Sequence, residues 1–110
     1  MTPSQNFPDV RFARPYPTRI LAEGYHPADL HFHTTHTDSS VTIPSLIRAI
    51  RKTGAGCAVT DHNEISGALA AVKDGAGLLI IPGIEISTCD GPHILVYFYS
   101  PRDLEDFFIR

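Results

Sequence analysis

From Ala28 onward, apolar and polar positions alternate in short blocks. "ADLHFH" (28–33) has the period-two alternation of a short strand. "TIPSLIRAIRKTG" (42–54) places Ile43, Leu46, Ile47 and Ile50 in one helical stripe, with Pro44 in the first turn and Gly54 at the end. "GCAVT" (56–60) reads as a second, buried strand. "EISGALAAVKDGAG" (64–77) reads as a helix with Ile65, Leu69 and Val72 on one side. "LLIIPGIEIST" (78–88) is a third strand, bent at Pro82–Gly83, and "HILVYFY" (93–99) is a fourth. "PRDLEDFF" (101–108) starts a helix after Ser100, with Pro101 at its first position and acids in its first turn. The order β-α-β-α-β-β-α, with helices of about a dozen residues between short strands, predicts an α/β fold with a parallel sheet or barrel.

One connection departs from this rhythm. Only "CDGP" separates the third and fourth strands, and Asp-Gly is a hairpin signal. A parallel pair needs a crossover of about a dozen residues or more, so these strands should be antiparallel. That brings His93 back toward Glu85. A two-residue turn would set Thr88 opposite His93. Placing His93 on the face of Glu85 requires a bulge or an odd-length loop, and the sequence leaves that choice open.

Residues 1–27 differ in character. They hold five of the nine prolines: Pro3, Pro8, Pro15, Pro17 and Pro27. Each removes a backbone donor, which predicts an extended arm without a helix. Phe7, Phe12, Tyr16, Ile20 and Leu21 could pack it against the body. "RFARPY" (11–16) could touch a phosphate backbone, but a solvated, packed arm is the simpler reading.

At 110 residues, the chain is one domain at most: the arm, 1–27, and a body, 28–110. Hydrophobic content of 43% and charged content of 19% are those of a soluble globular protein. A net charge of −3 gives no general attraction to nucleic acid or membrane. The N-terminus lacks an apolar signal core, and no apolar run approaches the roughly 18 residues of a membrane span. Cys57 and Cys89 lack CxxC spacing and read as structural residues of a reducing, cytoplasmic protein.

The histidines change the picture. Three of six fall within "DLHFHTTHTD" (29–38). Spacing by two puts Asp29, His31 and His33 on one strand face, with Leu30 and Phe32 on the apolar one. Two imidazoles so spaced can hold one ion, although isolated pairs are often just exposed. Asp38 follows in the loop at the strand's C-terminal end, the rim where α/β proteins build sites. In "TDHNE" (60–64), Asp61 and His62 emerge from a buried strand, and Asp61 or Asn63 could cap the next helix. Glu85 lies between isoleucines in "GIEIS". An ionised carboxylate there needs a metal or a paired cation such as arginine.

Together His31, His33, Asp38, His62, Glu85 and His93 can converge on one rim. Mixed imidazole and carboxylate donors suit zinc, manganese or iron. Six donors exceed the needs of one tetrahedral ion and point to two or three divalent ions. Such a centre attracts phosphate and lowers the pKa of bound water to roughly 7. Hydrolysis of a small phosphoester is the matching chemistry.

At these residues the sequence resembles the PHP (polymerase and histidinol phosphatase) superfamily. The likeness rests on "ADLHFHTTHTDSSVTIPSLI", "AVTDHNEISG", "IPGIEIS" and "GPHILVYFY", in order, over residues 28 to about 99. The family's first motif, D-L-H-x-H-S/T-x-x-S/T-D-G, is met from Asp29 to Thr34 and at Thr37–Asp38, with Ser39 in place of the glycine. The resemblance implies a distorted (β/α)7 barrel, of which four strands and three helices are present here, and hydrolysis of phosphomonoesters or small nucleotides. It implies that His31 and His33 bind one ion, that Glu85 bridges ions, that His93 binds another, and that Asp38 and His62 meet at a third. Family barrels also carry a later histidine and a D-x-H pair, and this sequence has no histidine after His93. A fragment, a barrel completed by self-association or a second chain, and a reduced form all fit that departure. Two other classes stay open: an amidohydrolase-type metal hydrolase, which also begins with an HxH strand, and a metal-binding structural or regulatory module without catalysis.

Overall fold

The computed structural model describes Arg14 and residues 16–109. Phe7 and Phe12 of the arm lie outside these residues. The elements are α1 (Pro17–Ala22), β1 (Ala28–Phe32), α2 (Ile43–Thr53), β2 (Gly56–Val59), α3 (Ser66–Asp74), β3 (Ile80–Ile86), β4 (Ile94–Tyr97) and α4 (Pro101–Ile109). The arm therefore contains a helix where proline content predicted none. Pro17 stands at the start of α1, where a missing N–H costs no intrahelical bond, and no proline follows until Pro27. Within α1, Ile20 is half-buried and Leu21 exposed, and Tyr16, just before it, is exposed.

The four strands form one sheet in the order β1-β2-β3-β4. β1 and β2 are parallel, as are β2 and β3, and β3 and β4 are antiparallel. This is an α/β half-barrel with a terminal hairpin. β3 pairs with β2 through Ile80–Pro82 and with β4 through Gly83–Ile86. Pro82–Gly83 is thus the point where β3 changes partner. β4 is shorter than the predicted 93–99.

The hairpin register sets Glu85 opposite Leu95 and Ile86 opposite Ile94. Continued, it puts Ser87 opposite His93, which is the odd-length-loop solution. Alternation then places Glu85, Ser87 and His93 on one face.

α2 is capped as its sequence predicts. The Ser45 N–H donates to Thr42 Oγ1, and Gly54 ends the helix at φ 72°. Ile43, Leu46, Ile47 and Ile50 are buried and join Val59, Ile65, Ile84 and Leu104 in the core. α3 is shorter than predicted, and its stripe differs. Gly67, Ala68 and Ala71 face inward, while Leu69 and Val72 are half-buried. Small residues let α3 lie close on β2 and β3; a Cβ at Gly67 would collide with the Asp61 carboxylate and the Thr34 hydroxyl. On β1 the expected apolar face is incomplete. Phe32 packs on the core, but Leu30 is 47% exposed, because β1 is a sheet edge and α3 lies over the central strands. Among the described residues no helix is long and apolar enough to cross a membrane.

Candidate metal centre

β1, the loop after it, the end of β2 and the hairpin bring His31, His33, Asp38, His62, Glu85 and His93 into one cluster. Glu85 is its centre and is only 3% exposed. Its two oxygens face different histidines. Oε1 lies 2.5 Å from His31 Nε2 and 3.2 Å from His33 Nε2. Oε2 lies 2.8 Å from His93 Nδ1 and 2.9 Å from His62 Nδ1. The alternative of an arginine partner for Glu85 does not hold: among the described residues its ion-pair partners are these four histidines.

Asp38 joins the group from the loop. Its Oδ1 is 2.9 Å from His33 Nδ1, and its Oδ2 is 3.1 Å from His62 Nε2. Three donor sets follow: His31–His33–Glu85, His33–Asp38–His62 and His62–Glu85–His93. His33 and His62 each serve two sets through different ring nitrogens. A neutral imidazole has one lone pair. So each ring can give its lone pair to one set only, and its other nitrogen then donates a proton to an orienting acceptor. With His33 Nε2 assigned to the first set, its Nδ1–H donates to Asp38. With His62 Nε2 assigned to the Asp38 set, its Nδ1–H donates to Ser87 Oγ at 2.6 Å. Carboxylates and hydroxyls that orient a ligating histidine this way are a recurring feature of metal sites.

The donor chemistry fits a small divalent ion. His31 Nε2 and His33 Nε2 point at one another across 3.1 Å and share Glu85 Oε1. Four donors placed tetrahedrally at 2.0–2.1 Å from zinc stand about 3.3 Å apart. Two observed edges, 3.1 and 3.2 Å, are close to that spacing, and the His31–Glu85 edge, at 2.5 Å, is shorter.

Charge is arranged to match. Burial raises the cost of ionising Glu85, but hydrogen bonds from His93 and His31 and the charge of His62 outweigh it and hold its pKa at about 2. Burial also opposes the charged form of His33, yet hydrogen bonds to Asp38 and Glu85 raise its pKa above the ordinary histidine value. The His33 hydrogen bond lowers the pKa of Asp38.

Other residues fix the frame. Asp61 is fully buried and is not a helix cap. It accepts from the Thr34 N–H, the Thr34 hydroxyl and the Thr37 hydroxyl, each at 2.7 Å, and so ties the 33–38 loop to the end of β2. Asn63 does not cap α3 either. Its side chain pairs with the backbone of Ser87. At the start of α3, the Glu64 carboxylate accepts from the N–H groups of Ile65 and Ser66. His36, the remaining histidine of the opening stretch, contacts Ser66 Oγ and lies outside the three donor sets. Sequence reasoning missed Ser87, whose hydroxyl reaches His62, His93 and Glu85. Its position two residues after Glu85, on the same strand face, was the available signal.

No protein-family profile matches the chain. Over 65 residues it is 40% identical to the 5'-3' exoribonuclease Rnm of Salmonella typhimurium, and over 66 residues it is 39% identical to the protein of the same name from Escherichia coli. Each match covers 54% of this chain, and the chain spans about a fifth (22%) of each relative. Among solved structures, an amidohydrolase from Chromobacterium violaceum, determined with sulfate bound and no metal, matches with a TM-score of 0.58 and 26% identity. That match covers 74% of this chain and 32% of the amidohydrolase. The proteins this chain resembles are named for hydrolytic reactions, and the shared fold is that of a barrel-type hydrolase.

Proposed function

We propose that this chain carries a metal centre of the PHP type and contributes to hydrolysis of phosphate esters. The observation that carries the reading is the division of the Glu85 carboxylate between His31 and His33 on one oxygen and His93 on the other. A single carboxylate shared by two histidine groups is a ready bridge between two ions. His31 Nε2, His33 Nε2 and Glu85 Oε1 would hold the first ion, Glu85 Oε2 and His93 Nδ1 a second, and Asp38 Oδ2 with His62 Nε2 a third. Manganese, zinc or iron all suit these donors. Bound there, divalent ions supply an activated water and neutralise phosphate charge. The chain's own residues orient the donors: Asp38 Oδ1 takes the proton of His33 Nδ1, and Ser87 Oγ takes that of His62 Nδ1.

The relatives named exoribonuclease widen the substrate class from small phosphomonoesters and nucleotides to phosphate esters of RNA. The sulfate in the amidohydrolase structure is a tetrahedral oxyanion of the shape such a centre would receive. A second reading, a metal-binding module without turnover, is favoured by the donor count. The first site would offer an ion three protein donors and the others two each, too few to hold those two ions firmly.

The test is hydrolysis of three probes with added manganese or zinc: p-nitrophenyl phosphate, a 5'-phosphorylated oligoribonucleotide and an N-acyl amino acid. Turnover of either phosphate ester, lost on chelation and in the His31→Ala/His33→Ala variant, supports the reading. Turnover of the amide alone overturns it in favour of amidohydrolase chemistry. Stoichiometric metal binding with no turnover leaves the non-catalytic module. With two incomplete donor sets, kcat/KM for a phosphomonoester is expected below about 10⁴ M⁻¹ s⁻¹, the low end of ordinary enzymes.

A further inference from the structure

We propose that Tyr97 and Asp29 are positioning residues for His31, acting through the one peptide group that joins Leu30 to His31. The β1–β2 register pairs Asp29 with Cys57 and Phe32 with Val59. Three steps along β1 therefore match two along β2, and the extra residue falls at Leu30–His31. Bulges of this kind re-aim a side chain and recur beside active sites.

Both polar ends of the bulged peptide are held by side chains. Its N–H, from His31, donates to Asp29 Oδ1 at 3.0 Å. Its carbonyl, from Leu30, accepts from the Tyr97 hydroxyl at 2.5 Å. The first bond is an Asx-type turn, which kinks the chain locally. The second comes from the far edge of the sheet. Strands stand about 4.8 Å apart, so a flat sheet would set β1 roughly 14 Å from β4, beyond a tyrosine's reach. The bond exists because the sheet curls, with Tyr97 on its inner side. Alternation along β4 puts Tyr97 on the face of Leu95 and His93, and Leu95 pairs with Glu85. The phenol thus lies on the same inner face as the donors and braces the strand that carries His31. His31 Nε2 lies closer to Glu85 Oε1 than His33 Nε2 does, so the orientation of this peptide sets the first donor triangle.

The metal arm of the test rests on the metal-centre reading, and a second arm does not. Cobalt(II) titration followed by visible absorption reads the first donor set. Tyr97→Phe keeps the ring and removes only the hydroxyl. It is expected to weaken cobalt binding about tenfold or more, the usual scale for losing a partner that orients a ligand, and to change the absorption envelope. Asp29→Ala should do the same. Asp29→Asn, which retains Oδ1 as acceptor, should restore binding close to wild type. A role in stability alone would lower the unfolding midpoint without altering the cobalt spectrum. In the metal-free chain, amide hydrogen exchange at His31 should accelerate in Asp29→Ala and stay slow in Asp29→Asn. Wild-type cobalt binding in both Tyr97→Phe and Asp29→Ala overturns the inference. If the wild-type chain takes up no cobalt, the metal reading fails. The exchange arm then decides: unchanged His31 exchange in Asp29→Ala overturns the inference, and acceleration rescued by Asp29→Asn supports it.

Discussion

Asn63 pairs its side-chain amide with both backbone polar groups of Ser87. Asn63 Oδ1 accepts from the Ser87 N–H at 2.9 Å, and Nδ2 donates to the Ser87 carbonyl at 2.9 Å. β2 has ended by this point, and the side chain continues its pairing with β3. It follows an isolated parallel bridge between His62 and Glu85, so the clamp fixes two candidate donors relative to each other. Among the described residues, Asn63 is also the non-glycine residue with positive φ, at 47°. Asn63→Ala should lose the clamp and strain the backbone, whereas Asn63→Gly loses only the clamp. In urea unfolding the glycine variant should be the more stable of the two, by about 1 kcal/mol. Equal stability would show that the left-handed backbone contributes nothing here.

The first donor triangle should govern metal content. The His31→Ala/His33→Ala variant removes both nitrogens that face Glu85 Oε1. Elemental analysis of the purified protein should show the loss of at least one divalent ion relative to wild type. Full stoichiometry in the variant would refute the assignment.

The charge arrangement predicts a pH window for the metal-free chain. His33 has a raised folded pKa, so its contribution is fully present below the ordinary value of 6.5 and is lost as pH rises through the folded value. Glu85 has a lowered pKa, so its contribution is present above 4.5 and is lost as pH falls toward about 2. Metal-free stability from these two groups should therefore be greatest between pH 4.5 and 6.5. Metal competes with the proton on His33, so metal affinity should instead rise with pH above 6.5. Thermal unfolding at pH 5.5 and 8, with and without manganese, checks the crossover.

Asp61 should matter as much for stability as any apolar core residue. Asp61→Ala strands two donors of the fully buried Thr34 and the half-buried hydroxyl of Thr37. A cost of about 3 kcal/mol or more is expected, at roughly 1–3 kcal/mol for each buried group left unpaired. Gly67→Ala forces a methyl against the same carboxylate and should cost about 1–3 kcal/mol. Because the two changes share one contact, the double variant should cost less than their sum in denaturant titration.

Self-association, or capture of a second chain, is expected at the open side of the half-barrel. β4 is a sheet edge, and Ile94 (52%) and Ile109 (83%) are strongly exposed, with Tyr99, Phe107 and Phe108 also at the surface. Exposed edges with apolar neighbours invite pairing. Sedimentation velocity of the purified chain should show concentration-dependent dimers or larger species. A monomer that persists across the concentration range would count against the idea.

The sequence by itself determined the α/β class, the α2 stripe with its Thr42 and Gly54 ends, the antiparallel hairpin and the set of candidate donors. Each is a local matter: residue spacing, a proline or glycine at a helix end, a loop too short for a crossover. Tertiary structure decided the rest. α1 forms in an arm whose proline count argued against it, because placement of prolines within the segment matters more than their number. α3 turned Gly67, Ala68 and Ala71 inward rather than Leu69 and Val72, and at Gly67 the Asp61 carboxylate and Thr34 hydroxyl leave no room for a side chain. Asp61 and Asn63 left the capping role their sequence allowed: Asp61 takes the donors of buried Thr34 and half-buried Thr37, and Asn63 pairs with the backbone of Ser87. His31 and Glu85 stand 54 residues apart in the chain and 2.5 Å apart in space. Which histidine faces which oxygen of Glu85 depends on a bulge in β1 and an odd-length hairpin loop. Register of that kind is fixed only when strands pair, since a slip of one residue turns every side chain to the other face.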